Sequence, residues 1–287
     1  MKIVHISDLH FPTKLSFFSL RGKMFTGYLN YFFRRKKFHP KELINVLFLK
    51  IQSLEYDLLI ISGDLTNVSA ENEFSEARKI LSPVLDSRAF MIPGNHDRYM
   101  ESAILPVDLF DKNFKEFSGI KITEDKYIRV KQINDFYIIG WDSNRPTGVG
   151  IATGYVEPDV VTRTFKFLKE NKIQKYIIVC HHPIWKRPDK KESSYHKMDN
   201  REEIAAMLKS NPPIAYIHGH VHSNWIKFKS DDLPFHIINS ASSSKLSRHD
   251  NECGFHYFEL NDAELKAQRF VYNKNLNKFE YSNLITY

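Results

Sequence analysis

The first ten residues, MKIVHISDLH (Met1–His10), set the pattern from which the fold is read. Ile3 to Ile6 make a short apolar run that breaks into a polar tip, Ser7-Asp8-Leu9-His10. The same order recurs four times. Leu58 to Ile61 runs into Ser62-Gly63-Asp64, and residues 89–92 run into Pro93-Gly94-Asn95-His96-Asp97. Tyr176 to Val179 leads to Cys180-His181-His182-Pro183, and Ile214 to Ile217 leads to His218-Gly219-His220-Val221-His222. Such runs read as buried strands of a largely parallel sheet in an α/β core. In sheets of that kind functional groups gather beyond the carboxyl ends of the strands.

Outward from these five junctions, Leu43, Leu47, Ile51 and Leu54 predict a helix over 41–55. Phe74, Ala77, Leu81 and Val84 predict another over 72–85. Further strands are expected at 136–140, 235–239 and 254–260, the last turning at Asn261-Asp262 into a partner near 264–272. No repeat, linker or low-complexity stretch interrupts the chain. The expectation is one domain over 1–287, with 11–40 inserted after the first strand and C-terminal strands over 250–287.

Composition narrows the class. Hydrophobic residues make up 42% of the 287, with 22 Phe and 14 Tyr, which is ample for a core and unlike a disordered chain. Two cysteines, Cys180 and Cys253, give no disulfide framework. With no leader-like start and no apolar run of about 18 residues, a cytoplasmic enzyme is expected. Peripheral contact with the inner membrane surface is the alternative. The net charge of +7 is local. Residues 11–40 hold Lys14, Arg21, Lys23, Arg34, Arg35, Lys36 and Lys37 and no acidic residue. Without these seven of the 41 basic residues, 34 remain against 34 acidic ones.

Asp8, His10, Asp64, Asn95, His181, His220 and His222 all stand at strand-to-loop junctions and offer oxygen or imidazole nitrogen. Spacing by two, in Asp8/His10 and His220/His222, would turn both side chains of a locally extended segment to one side. Gly63, Gly94 and Gly219 would allow tight turns beside them. Mixed carboxylate and imidazole ligation suits Mn²⁺, Fe or Zn²⁺ better than Ca²⁺. A single Asp-x-His arises readily by chance, and a lone buried His is usually just hydrogen-bonded. Five such clusters in order are not so explained.

The combination Asp8-Leu9-His10, Gly63-Asp64, Gly94-Asn95-His96-Asp97, His181 and Gly219-His220-Val221-His222 resembles the five blocks of the calcineurin-like metallophosphoesterase superfamily, and it spans residues 3–222. The resemblance implies two β-sheets flanked by helices, with two divalent cations at one edge, Mn²⁺ first. It implies one metal on Asp8, His10, Asp64 and His222, and a second on Asp64, Asn95, His181 and His220, bridged by Asp64. His181 rather than His182 is taken as the ligand. A hydroxide bridging the cations would attack phosphorus in line. His96 would face the substrate as a catalytic residue, donating a proton to the leaving oxygen or stabilising transition-state charge. Several relatives carry an Asp three residues after the bridging Asp to orient that histidine; here Asn67 stands there.

Phe18, Phe25, Tyr28, Leu29 and Phe32 fall on one helical stripe of the insertion, and Arg34 to Lys37 close it. The segment reads either as an amphipathic lid whose aromatics complete the core or as a grip on an anionic, partly apolar surface such as a phospholipid layer. Burial spacing argues against base stacking, so nucleic acid is an unlikely partner. Trp141 to Gly154 reads as a loop rimming the site, and Asn144, Arg145 and Arg98 are candidate substrate contacts. The function expected is a phosphodiesterase or pyrophosphatase acting on a phosphate-containing small molecule or a lipid-linked nucleotide sugar. Among relatives it looks most like bacterial enzymes acting on cyclic nucleotides. Alternatives are the UDP-2,3-diacylglucosamine pyrophosphatases of lipid A synthesis, a phosphomonoesterase, or a scaffold of this fold without catalysis. Scaffolds of that kind usually lose a ligand or the active-site histidine, and this chain keeps every one.

Overall fold

A computed structural model describes residues 1–16, 20–31, 38–191, 193–246, 253–261 and 264–287. Phe18, Phe32 and the basic run Arg34 to Lys37 lie outside the described residues. The five apolar runs become β1 (Lys2–Ile6), β2 (Leu58–Ile61), β3 (Ala89–Met91), β7 (Tyr176–Cys180) and β8 (Ala215–His218). All but the first residue of β1 are buried. A strand covered on both faces has no polar side, which is why these runs are continuous rather than alternating.

Two mixed sheets result. In the first, β1, β2 and β3 run parallel. On the other side of β1 lie the antiparallel β11 (Gly254–Leu260), β12 (Leu265–Asn273) and β13 (Lys278–Ser282). The second sheet has a parallel centre of β6 (Phe136–Trp141), β7, β8 and β10 (His236–Asn239). Its antiparallel flanks are β4 (Ile120–Lys121) and β5 (Ile128–Ile133) on one side and β9 (Trp225–Lys227) on the other. The parallel reading therefore holds for the strands that carry the site and not for the edges.

One apolar layer between the sheets joins Ile3, Ile60 and Phe90 of the first to Ile138, Val179 and Ile217 of the second. The outer face of the first sheet is covered by α2 (Lys41–Gln52), α3 (Glu71–Leu81) and α4 (Leu109–Phe114). The outer face of the second is covered by α5 (Pro158–Glu170) and α6 (Arg201–Ser210). The α/β sandwich flanked by helices is thus as expected. Not anticipated from the sequence were β4, β5, β9 and α4 to α6, whereas β13 falls among the C-terminal strands expected over 250–287.

Within the insertion the helix is α1, Lys23–Asn30. Its buried stripe is Met24 and Tyr28, continued by Tyr31, and it packs on Leu15, Val68 and Ala70 in a small core of its own. This corrects the expected stripe, because Phe25 is 44% exposed. Met24, Tyr28 and Tyr31 repeat at the helical period of four and three, and that face meets the loop after β2. Tyr28 keeps its hydroxyl satisfied by accepting from the Leu15 N–H (3.0 Å). Among the described residues no helix is long and apolar enough to cross a membrane.

Candidate metal centre

Each strand end delivers its polar tip to one place. Asp8 and His10 follow β1, Asp64 follows β2, Asn95 and His96 follow β3, His181 follows β7, and His220 and His222 follow β8. The backbone does this in an unexpected way. Asp8, His10, Asp64, His220 and His222 all have positive φ (53°, 42°, 59°, 70° and 48°). The expected extended geometry is therefore wrong. Left-handed backbone at alternate residues turns these side chains inward, at about 1–3 kcal/mol of local strain each. Two glycines matter for space rather than for turning. A Cβ on Gly94 would lie 2.2 Å from Asp64 Oδ1, and one on Gly219 would lie 1.9 Å from Ser7 Oγ.

Asp64 is the hub. Its Oδ1 accepts the His96 N–H (2.8 Å), while Oδ2 faces His10 Nε2 at 3.6 Å and His181 Nε2 at 3.5 Å. His10 Nδ1 donates to the Thr66 carbonyl (3.1 Å) and His181 Nδ1 to the Ser62 carbonyl (2.7 Å). In these tautomers, assigned from the partners, each Nε2 turns a lone pair toward the carboxylate. His220 repeats the arrangement with its ring reversed: Nε2 donates to the His196 carbonyl (2.9 Å), and Nδ1 meets Asn95 Oδ1 at 2.9 Å. Asn95 Oδ1 also lies 3.1 Å from His181 Nε2. On the other flank His222 Nε2 is 3.1 Å from Asp8 Oδ1. With the imidazoles neutral, as ligands must be, acceptor atoms face acceptor atoms, and among the described residues the buried His10 Nε2 has no hydrogen-bond partner. A cation resolves both facts, so the donor set fits bound metal.

The electrostatics agree. Burial would raise Asp64, but His181, His96 and His10 hold it well below the usual carboxylate range. Asp8 is likewise held low against burial, chiefly by His222. Burial would lower His181, yet the Asp64 carboxylate, with Asp8 behind it, lifts it to about 9. The cluster as a whole calls for positive charge. Three overlapping groups have ligand atoms within 4.8 Å of one another: Asp8, His10 and His222; His10, Asp64 and His96; and Asp8, Asp64 and His181.

The loops are fixed by carboxylates that the sequence reading left without a role. Asp97, fully buried, accepts from the backbone N–H groups of Asp64 (2.9 Å), Leu65 (3.0 Å), Thr66 (2.9 Å) and Gly94 (2.9 Å). Burial and the nearby Asp64 push it up to about 7 against those four donors. Glu73 accepts from the N–H groups of Asn67 (2.9 Å), Val68 (3.0 Å) and Ala70 (3.0 Å), and burial raises it despite them. The Asn67 carbonyl in turn accepts from His96 Nδ1 (2.7 Å). The Asn67 side chain points elsewhere, donating to the Phe11 carbonyl (3.0 Å). The His96 ring lies parallel to Tyr99, centroids 5.9 Å apart, and Lys23 of α1 sits 4.0 Å over the Tyr99 ring.

Other candidates fall outside the cluster. Arg98 is 2% exposed and paired with Asp108 (2.7 Å) and Asp142 (2.9 Å), which corrects its reading as a phosphate contact: its guanidinium is spent inside the fold. Asn144 donates to the Pro93 carbonyl (2.8 Å) and to Asp142 (2.6 Å), and Arg145 pairs with Asp199 (2.6 Å). None of the three lines the two cavities at the cluster. His182 accepts from the Ser143 hydroxyl and donates to the Ala152 carbonyl, and burial followed by His181 lowers it to about 3. It is a neutral buffer behind His181.

Beside the Asp/His cluster opens a cleft of about 410 Å³. A second cavity of about 660 Å³, walled by α1 and residues 149–152, shares Asn95, His96, Ala152 and His196 with it. The insertion therefore does reach the mouth of the site.

Residues 1–224 match the model of the family described as calcineurin-like phosphoesterase. The chain belongs to that family. This phosphoesterase is similar to a probable cyclic nucleotide phosphodiesterase of Vesicomyosocius okutanii, at 24% identity over 214 residues, covering 74% of this chain and 81% of the relative. A second probable cyclic nucleotide phosphodiesterase, from Ruthia magnifica, is 26% identical over 225 residues, covering 77% and 83%. Among solved structures, the phosphoesterase superposes on a dimetal phosphatase from Danio rerio with a TM-score of 0.61 at 13% identity, covering 94% of each chain. A purple acid phosphatase from yellow lupin gives 0.60 at 11% identity, covering 99% of this chain and 53% of the other. At such identities the phosphatases establish the fold alone.

Proposed function

We propose that this phosphoesterase hydrolyses phosphodiester or phosphoanhydride bonds with two divalent cations, Mn²⁺ foremost. One cation would be held by Asp8, His10, Asp64 and His222, the other by Asp64, Asn95, His181 and His220. The observation that carries the reading is Asp64 Oδ2, a single oxygen placed between the Nε2 atoms of His10 and His181. When bound, the two cations supply an acidified water as nucleophile and neutralise the phosphoryl oxygens.

The chain's own groups do the rest. Asn95 offers an uncharged oxygen, which leaves the centre positive enough to draw in an anion. His96, whose Nδ1–H donates to the Asn67 carbonyl, would act in its imidazolium form, giving the Nε2 proton to the leaving oxygen and returning to the neutral ring. Asp64 positions that histidine through its backbone N–H. Similarity to the two probable cyclic nucleotide phosphodiesterases favours a diester over a monoester. The test is turnover of bis-p-nitrophenyl phosphate with added Mn²⁺, with p-nitrophenyl phosphate beside it. Diester hydrolysis lost in Asp64→Ala supports the reading. Silence under Mn²⁺, Fe²⁺ and Zn²⁺ alike would return the chain to the scaffold alternative.

A further inference from the structure

Two residues of α1 are poor choices for a helix. Lys23 is its first residue, where the helix dipole disfavours a cation, and no acidic side chain stands in that turn to offset it. Gly27 falls inside the helix, where glycine is weaker than alanine as a helix former. Both departures lead to the same partner, Tyr99. A Cβ on Gly27 would lie 2.8 Å from the Tyr99 hydroxyl oxygen and 3.2 Å from its Cζ, so glycine is what lets the phenol lie against the helix. Lys23 Nζ sits 4.0 Å over the Tyr99 ring and donates to the Thr147 carbonyl (2.6 Å). The Tyr99 hydroxyl donates back to the Lys23 carbonyl (3.4 Å). Among the described residues the half-buried Lys23 ammonium has no acidic partner, and the ring face and the Thr147 carbonyl offset its burial.

The other contact of Tyr99 is with the proposed proton donor. Its ring lies 7° from the plane of His96 with centroids 5.9 Å apart, the offset stacking that aromatic pairs prefer. The hydrogen bond from His96 Nδ1 to the Asn67 carbonyl fixes one corner of the imidazole but does not by itself set its plane. His10 meets that ring at 88°, centroids 4.8 Å apart, and Tyr99 supplies a parallel wall. A tilt of the plane carries Nε2 away from the leaving oxygen, and misplacing a reacting group by about 1 Å can cost about 100-fold in rate.

Resting on the phosphoesterase reading above, with His96 as its proton donor, we propose that Tyr99 is a positioning residue that sets the plane of His96. The helix α1 holds it there through Gly27 and Lys23. The insertion thereby bears on the chemical step. Its effect is read in kcat, graded by how much the leaving group needs a proton.

Two diesters, tested on the full chain loaded with Mn²⁺, separate the outcomes. Bis-p-nitrophenyl phosphate releases a group that departs without a proton; diphenyl phosphate releases a more basic phenolate that gains from one. Tyr99→Leu should lower kcat for diphenyl phosphate by about tenfold or more and for bis-p-nitrophenyl phosphate by less than about threefold, with KM little altered for either. Tyr99→Phe keeps the ring and should recover most of the loss. Gly27→Ala favours the helix yet displaces the phenol, so it should shift the ratio of the two kcat values in the same direction. Should Tyr99→Leu fail to fold, shown by loss of its thermal transition, Lys23→Gln decides: the ratio should fall about threefold. Equal losses on both diesters, no recovery in Tyr99→Phe, or an unchanged ratio in Gly27→Ala and Lys23→Gln overturns the positioning role while the phosphoesterase reading stands. Unmutated protein that hydrolyses bis-p-nitrophenyl phosphate but not diphenyl phosphate overturns it too. No turnover of bis-p-nitrophenyl phosphate with any divalent metal sinks the phosphoesterase reading, and the positioning role with it.

Discussion

The Nδ1 atom of His96 lies 2.7 Å from the backbone carbonyl oxygen of Asn67. The ring is held by main chain, so the exchange of Asp for Asn at this position does not remove the tether. What sets the carbonyl is Glu73, whose carboxylate collects three backbone N–H groups of the 67–70 loop. Glu73→Ala leaves those three donors buried without an acceptor. It should destabilise the fold by at least about 2 kcal/mol and lower kcat in the variant that remains folded. Chemical denaturation paired with steady-state kinetics checks both halves; a stable, fully active variant would show that the loop orients itself.

His96 is not one of the proposed ligands: its backbone N–H donates to Asp64 Oδ1 and its Nδ1 to the Asn67 carbonyl. His96→Ala should retain its metal and lose about 10²- to 10⁴-fold in kcat for esters with a poor alkoxide leaving group. With p-nitrophenolate, which departs without a proton, the loss should be much smaller. Equal losses for both leaving groups would assign His96 to charge stabilisation instead of proton donation.

Asp64 serves both halves of the cluster. Asp64→Ala should reduce bound metal below one ion per chain, by elemental analysis after dialysis, and turnover by about 100-fold or more. Full occupancy in the variant would break the bridging assignment.

Acid lability follows from histidines kept neutral inside the sandwich. His256 on β11 is fully buried, and burial followed by the charge of Arg269 lowers it to about 3. In the unfolded chain it titrates near 6.5. Below that pH the unfolded state binds a proton the native state refuses. Stability therefore falls as pH drops from about 6.5 toward 3, by up to about 1.4 kcal/mol per pH unit for this group. His256→Leu should flatten the dependence of Tm on pH between 6.5 and 4.5; an unaltered slope would place the acid sensitivity elsewhere.

The strand-end clusters were legible because a strand buried on both faces is a continuous apolar run, and the ligands mark where it stops. The meeting of Asp8, Asp64, Asn95 and His181 could be read on that account alone. Positive φ at five of the seven residues could not, since nothing in Asp or His demands it; the close approaches at Gly94 and Gly219 and the convergence of ligands impose it. The α1 stripe misled because Phe25 is large and apolar yet faces outward, while Met24 and Tyr31 take the inner face. Arg98 misled because its partners, Asp108 and Asp142, are distant in sequence.

Asp97 binds the turn carrying Asp64 to the turn carrying Asn95 through a single carboxylate. The two turns are thereby tied to each other, whereas the His220-Val221-His222 segment is not held by that carboxylate. On the proposed ligation, an ion of larger radius would be accommodated from the β8 side, and substitutions around Val221 are where selectivity among Mn²⁺, Fe²⁺ and Zn²⁺ would be rewritten.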